Sequence, residues 1–213
     1  MRIFLRTFGC RANHYDTEAV REMIGAAGHT IVASPADAEI AVFNSCAVTA
    51  EAEADLRQSV RRAARANGAL RSLVMGCAAS LDRGAIRALP TVSHVVSGAD
   101  LPAIAAALDL PLSSASSIAT HAQSTARAVL RIQEGCNEHC TFCATVIARG
   151  PARSRPVETL VAEARALAAR HAEIVLTGIH IGAWGVEWGE TLGVRQAFQP
   201  DGFRVRLESL TYG

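Results

Sequence analysis

Through its first hundred residues the chain alternates short apolar runs with helically spaced stretches, and this alternation admits few architectures. Residues 2–8, 29–33, 39–45, 72–76 and 94–97 read as strands, and residues 14–27, 50–66, 82–89 and 100–108 as helices. In 14–27, for example, Val20, Ile24 and Ala27 fall on one helix face. Regular alternation of this kind predicts a parallel α/β sheet covered by helices on both faces. At 213 residues and 50% hydrophobic content the chain can bury that core and still carry a second folding unit.

The second unit follows a stretch at 111–126 rich in Ser, Ala and Thr, with little periodicity, which reads as a linker. Residues 128–133 read as a strand and 157–170 as a helix, with Val157, Leu160, Val161, Ala164, Leu167 and Ala168 on one face. Residues 173–177 read as another strand, which completes a βαβ unit of the sort that begins a β/α barrel. The plan is therefore an N-terminal domain at 1–108, a linker at 109–127, a second domain at 128–193 and an atypical tail at 194–213. One βαβ unit cannot close a barrel. The second domain is accordingly expected to be incomplete in this chain, and the chain to show no turnover by itself.

Composition narrows the function classes. Formal net charge is +1, so overall charge does not advertise a nucleic-acid partner. All 21 basic residues are arginine, a planar fork suited to phosphate and to stacking. No run of 18 or more apolar residues predicts a membrane span, and Arg6 breaks the apolar N-terminus before a signal-peptide core can form. A cytoplasmic location is expected. There, six cysteines are better read as ligands or catalytic groups than as disulfides.

Cys136, Cys140 and Cys143 stand as C-x3-C-x2-C directly after the strand at 128–133. Three soft thiolates on one loop suit three corners of an iron–sulfur cubane, and the missing fourth ligand leaves one metal position open to an external molecule. Zinc is the competing reading, but His139 lies between the cysteines and makes a poor fourth ligand. Cys10, Cys46 and Cys77 are far apart in sequence, yet each follows the C-terminal end of a predicted strand. Parallel strands would gather these thiols at one sheet edge, where ligand sites form. Gly9 and Gly76 would permit the tight turns required. Three separate buried cysteines are the alternative.

Six motifs in order resemble the radical S-adenosylmethionine (SAM) methylthiotransferase family. They are Thr7-Phe8-Gly9-Cys10-Arg11-Ala12-Asn13, Asn44-Ser45-Cys46-Ala47-Val48-Thr49, Val74-Met75-Gly76-Cys77-Ala78, the C-x3-C-x2-C loop with Phe142 before its last cysteine, Ala148-Arg149-Gly150 with Arg153-Ser154-Arg155, and Leu176-Thr177-Gly178-Ile179-His180-Ile181-Gly182. The resemblance implies a flavodoxin-like N-terminal domain whose Cys10, Cys46 and Cys77 hold an auxiliary [4Fe-4S] cluster. It implies a radical SAM partial barrel whose Cys136, Cys140 and Cys143 hold a second cluster that binds SAM. The implied reaction replaces a C–H hydrogen by a methylthio group, with a tRNA substrate and a reductant protein as partners, and with neither DNA nor membrane involved. The loops after Cys10 and Cys46 look most like the branch acting at C2 of N6-threonylcarbamoyladenosine; the isopentenyladenosine and ribosomal-protein branches are alternatives, as is a non-catalytic iron–sulfur remnant. Residues 144–147 lack the proline usual before the Ala-Arg-Gly motif.

Other residues carry weaker signals. Phe142, Thr177 and Gly178 are candidates for the SAM pocket, and Arg149, Arg153 and Arg155 for contact with RNA beside the substrate entrance. Arg57, Arg61, Arg62 and Arg65 share a helix face that reads first as solvated and second as a phosphate contact. Trp184 and Trp188 read as core, or as a platform for a base. No residue stands out as catalytic.

Overall fold

The computed structural model describes residues 1–111, 123–138 and 140–189. Most of the linker, His139 and the tail at 194–213 lie outside the described residues.

The N-terminal domain comprises β1 (Arg2–Thr7), α1 (Arg11–Ala26), β2 (Thr30–Val32), β3 (Ile40–Ser45), α2 (Ala50–Ala66), β4 (Arg71–Gly76), α3 (Cys77–Ser80), β5 (Val92–Val95) and α4 (Leu101–Ala107). Its five strands are all parallel, in the order β2-β1-β3-β4-β5. That is the doubly wound, flavodoxin-like order, in which the chain reverses direction of travel across the sheet between β1 and β3. The period-2 alternation of the central strands divides the core in two. Ala41, Phe43 and Val74 face α2 through Leu56, Val60 and Ala63. Ile40, Val42, Leu73 and Met75 face α1 and α4 through Val20, Met23, Ile24 and Ile104. Local signals fix the helix starts: the Thr49 side chain accepts from Ala52 N, and that of Asp100 from Ala103 N.

Two expectations shift. Residues 82–89 form turns rather than a helix, because the Asp82 carboxylate accepts from Ile86 N and Arg87 N and Gly84 sits at φ 105°. The strand expected at 94–97 lies instead at Val92–Val95, where it pairs with β4 before the turn at Gly98.

The second domain contains β6 (Ala128–Glu134), α5 (Thr145–Arg149), β7 (Arg153–Ser154), α6 (Val157–Ala168) and β8 (Ile174–Gly178). Its sheet runs β7-β6-β8, with β6 parallel to β8 and antiparallel to β7. The expected βαβ unit is thus present as β6-α6-β8. Leu160 and Leu167 of α6 pack on Leu130, Ile132 and Leu176, with Trp184 buried beside them.

Helix α1 joins the domains. One face belongs to the N-terminal core, while Tyr15 donates to Glu163 Oε1 of α6 at 3.0 Å and Asp16 pairs with Arg131 of β6. The Arg131 guanidinium also stacks 4.7 Å from the Tyr15 ring centre. These contacts seat the first turns of α1 against β6 and α6 of the second domain.

Candidate metal centre

Cys10 follows β1, Cys46 follows β3 and Cys77 follows β4, so the three thiols flank the crevice where the strand order reverses. Cys46 and Cys77 are buried and Cys10 is exposed. Two glycines make the approach possible. Gly9, at φ 95°, lies so near Cys46 that a Cβ there would come within 2.7 Å of its Sγ. Gly76, at φ 92°, leaves no room for a Cβ beside Ser45 O. Ser45 Oγ accepts from Ala79 N at 3.2 Å, which fixes the start of α3 and hence Cys77.

Asn13 organises this set. It is fully buried on α1, three residues after Cys10. Its Nδ2 donates to Phe8 O at 2.8 Å and Ser45 O at 2.9 Å, tying together the turns after β1 and β3. That leaves Oδ1 toward the thiols, 3.9 Å from both Cys10 Sγ and Cys77 Sγ. Two of the three thiols thus share one buried amide oxygen, and Cys46 lies beside Gly9 next to them. Among the described residues no group of three or more His, Cys, Asp or Glu side chains stands arranged to hold a metal ion. By donor chemistry, three soft thiolates at one sheet edge suit an iron–sulfur cluster.

The second set lies on the loop after β6. Gly135, at φ 67°, runs so close to Pro151 O that no Cβ would fit, and Cys136 N donates to Gly150 O at 3.1 Å. Cys143 N donates to Cys140 O at 3.1 Å, turning the loop back on itself. Buried Gln133 supports the base: its Nε2 donates to Gly135 O at 2.7 Å, and its Oε1 accepts from His180 N at 2.7 Å. The ring of His180 lies 3.9 Å from Cys136 Sγ. Cys136 and Cys143 are half-buried and Cys140 is exposed. Hydrogen bonds from Thr145 hold the Cys143 thiol below the ordinary range, which favours the ligating thiolate. Three thiols on one turned-back loop are a soft donor set of the kind an iron–sulfur cluster takes.

The two sets meet at one dipeptide. Arg149 Nε donates to Cys77 Sγ at 3.2 Å, and the next residue, Gly150, accepts from Cys136 N. Arg149 is 8% exposed and also pairs with Glu134 Oε1 at 3.0 Å and Asp16 Oδ2 at 2.9 Å. Burial works against its charge, yet Asp16, Glu134 and Cys77 together hold it above the ordinary arginine range. Burial likewise pushes the Cys77 thiol up, and Arg149 pulls it back down. Burial raises Asp16 too, opposed by Arg131 and Arg149.

The remaining candidates separate. Arg149 is turned inward, and Arg155 is spent on Tyr15 Oη at 2.8 Å and on Glu163. Neither lies on an open surface for RNA, because buried carboxylates on α1 and α6 claim them; only Arg153 of the three is exposed. Phe142 is 90% exposed, whereas Thr177 is buried at the end of β8. Gly178 lets β8 pass Gln133 O, which a Cβ would approach to 3.0 Å. Trp184 is core, donating from Nε1 to Arg155 O at 3.1 Å, and Trp188 packs edge-on against it. Arg61, Arg62 and Arg65 are exposed on α2, while Arg57 pairs with Glu53 at 3.3 Å.

Sequence reasoning missed Asn13, Asp16, Gln133 and His180. Asn13 and His180 stood inside recognised motifs, and Asn13 lies one helical turn from Cys10. Nothing local marked Asp16, whose partners are more than a hundred residues away.

Comparison with known proteins decides the family. The profile of Uncharacterized protein family UPF0004 matches residues 2–98, and that of the Radical SAM superfamily matches residues 130–208. The chain belongs to the radical SAM methylthiotransferase family. A threonylcarbamoyladenosine tRNA methylthiotransferase from Bacillus subtilis (strain 168) is 36% identical over 86% of this chain and 44% of its own length. A protein of the same name from Rickettsia prowazekii (strain Madrid E) is 32% identical over 84% of this chain and 44% of its own. A tRNA-2-methylthio-N(6)-dimethylallyladenosine synthase from Sphingopyxis alaskensis is 34% identical over 95% of this chain and 51% of its own. The chain thus spans about half the length of the curated relatives it matches. The radical SAM match runs to residue 208, through most of the segment that sequence reading set apart as atypical. Membership implies SAM and a [4Fe-4S] cluster, and no helix among the described residues is long and apolar enough to cross a membrane.

Proposed function

We propose that this chain provides the cluster-bearing portion of a tRNA methylthiotransferase that modifies C2 of N6-threonylcarbamoyladenosine, using two [4Fe-4S] clusters. One observation carries the reading: a member of each set reaches the same dipeptide, Cys77 through its sulfur to Arg149 and Cys136 through its backbone N–H to Gly150. A methylthiotransferase needs a sulfur-handling site and a radical-generating site within reach of one substrate atom, and this juxtaposition supplies that arrangement. When bound, the cluster on Cys136, Cys140 and Cys143 would supply reductive cleavage of SAM, and that on Cys10, Cys46 and Cys77 would hold the sulfur for transfer.

The chain's own residues do the positioning. Asn13 and Ser45 lock the turns that present the first thiol set, and Gln133 locks the base of the loop presenting the second. A cleft of about 550 Å³ between the domains runs past Ser80, Gly98, Arg131, Arg149 and Arg153. Asp100 and Glu134 share this lining and Arg131 and Arg149 are paired with carboxylates, so exposed Arg153 is the cation offered to a nucleotide phosphate. The relatives named for threonylcarbamoyladenosine support the choice of nucleoside. The 34% identity to a dimethylallyladenosine enzyme favours that nucleoside as the second reading.

Mass spectrometry of tRNA nucleosides from cells with and without the gene tests this. Loss of the methylthio form of threonylcarbamoyladenosine alone is expected. Loss of the methylthio form of dimethylallyladenosine instead would transfer the assignment to that branch.

A further inference from the structure

The charged residues between the domains form one buried network, and the proposed reaction leaves it unexplained. Asp16 is 1% exposed and pairs with both Arg131 and Arg149; Glu134 pairs with the same two arginines. Burying such groups is costly unless each is paired, and removing one partner strands another. An apolar interface would join the domains at lower cost. What the network achieves is to fix one guanidinium, Arg149, in a single orientation with every edge occupied. Nε points at Cys77 Sγ, Nη1 at Glu134, and Nη2 at Asn13 Oδ1 and Asp16.

We propose that Arg149 is a positioning residue that acts through Cys77, setting the reduction potential of the auxiliary cluster from the domain that carries the SAM-cluster loop. The inference rests on the two-cluster reading above. A hydrogen bond and a positive charge at a ligating sulfur favour the more negative, reduced form of a cluster, so they raise its potential. Arg149 ends α5 and adjoins the residue that receives Cys136 N, so the group that reaches the Cys77 sulfur is anchored to the second loop. Lysine cannot replace it. A point charge can pair with Asp16 but cannot meet Cys77, Asn13 and Glu134 at once as a planar fork does.

The test uses the full chain with Cys136, Cys140 and Cys143 all changed to Ala, so that only the auxiliary cluster is reconstituted. Into this parent go Arg149→Lys and Arg149→Gln, with iron content, redox titration followed by electron paramagnetic resonance, and urea unfolding as readouts. Both variants are expected to bind iron as the parent does and to show a more negative midpoint potential with altered g-values, Gln shifted further than Lys. Arg149→Lys keeps the charge opposite Asp16 and carries the test should Arg149→Gln fail to fold. A lowered urea midpoint with unchanged potential and spectrum would overturn the proposal, because it assigns Arg149 a structural role only. A parent that takes up no iron would overturn the two-cluster reading and this inference with it, an outcome distinguished by the missing iron.

Discussion

Single residues set the geometry of both thiol sets, and the glycines do so by lacking a side chain. At Gly9 a methyl group would meet Cys46 Cβ at 2.5 Å, and the backbone is already at φ 95°. Gly9→Ala is therefore expected to displace Cys46 and to cost about 1–3 kcal/mol in backbone strain alone. In the reconstituted chain it should remove the auxiliary iron, close to half the total, and leave the loop cluster in place; iron and sulfide assays report this. Tyr15 offers a separate check on the interface. Burial, then the Glu163 charge, pushes its hydroxyl from 10.0 up to about 12. The unfolded chain thus releases this proton first, so stability is undiminished below pH 10 and falls as pH rises toward 12. The loss reaches at most about 2–3 kcal/mol at about 1.4 kcal/mol per pKa unit. The chain has no lysine to blur the window. Urea unfolding at pH 9 and pH 11.5 should show a smaller decline for Tyr15→Phe than for the parent.

At the scale of elements, the two thiol sets depend on different supports. The first hangs on the carboxyl ends of β1, β3 and β4, pinned by Asn13 of α1; the second hangs on the loop after β6, pinned by Gln133. Cys136→Ala is accordingly expected to abolish SAM cleavage while the chain keeps about half its iron, as metal analysis and absorbance would show. Loss of all iron would contradict independent supports. Leu130, fully buried between α6 and β8, should cost about 2–5 kcal/mol when cut to Ala, by urea unfolding. The same elements explain what was legible in the sequence. Strands β1, β3 and β4 announce themselves by apolar runs and helix α2 by its alanine-rich stretch, and the cysteines that follow the strands identify the sheet edge. Helices α3 and α5 and strand β7 are two to five residues long, too short for any periodicity to register. Asp82 looked like a helix start, but its carboxylate caps a turn that Gly84 prevents from continuing.

For the molecule as a whole, the decisive feature is the seam between the two domains, which local patterning does not encode. Arg149, Arg153 and Arg155 looked equivalent as basic residues near a substrate entrance; long-range partners on α1 and α6 draw two of them inward. Asp16 and Tyr15 read as ordinary positions on an amphipathic helix until the second domain supplies their partners. The seam brings the thiol sets together, and the account stands on both of them binding a cluster. Iron and acid-labile sulfide, counted after anaerobic reconstitution, test this most directly in three chains: the parent, a variant with Cys10, Cys46 and Cys77 changed to Ala, and one with Cys136, Cys140 and Cys143 changed to Ala. Two [4Fe-4S] clusters require about eight irons in the parent and about four in each variant. A parent holding about four irons, all retained when Cys10, Cys46 and Cys77 are removed, would contradict the two-cluster reading.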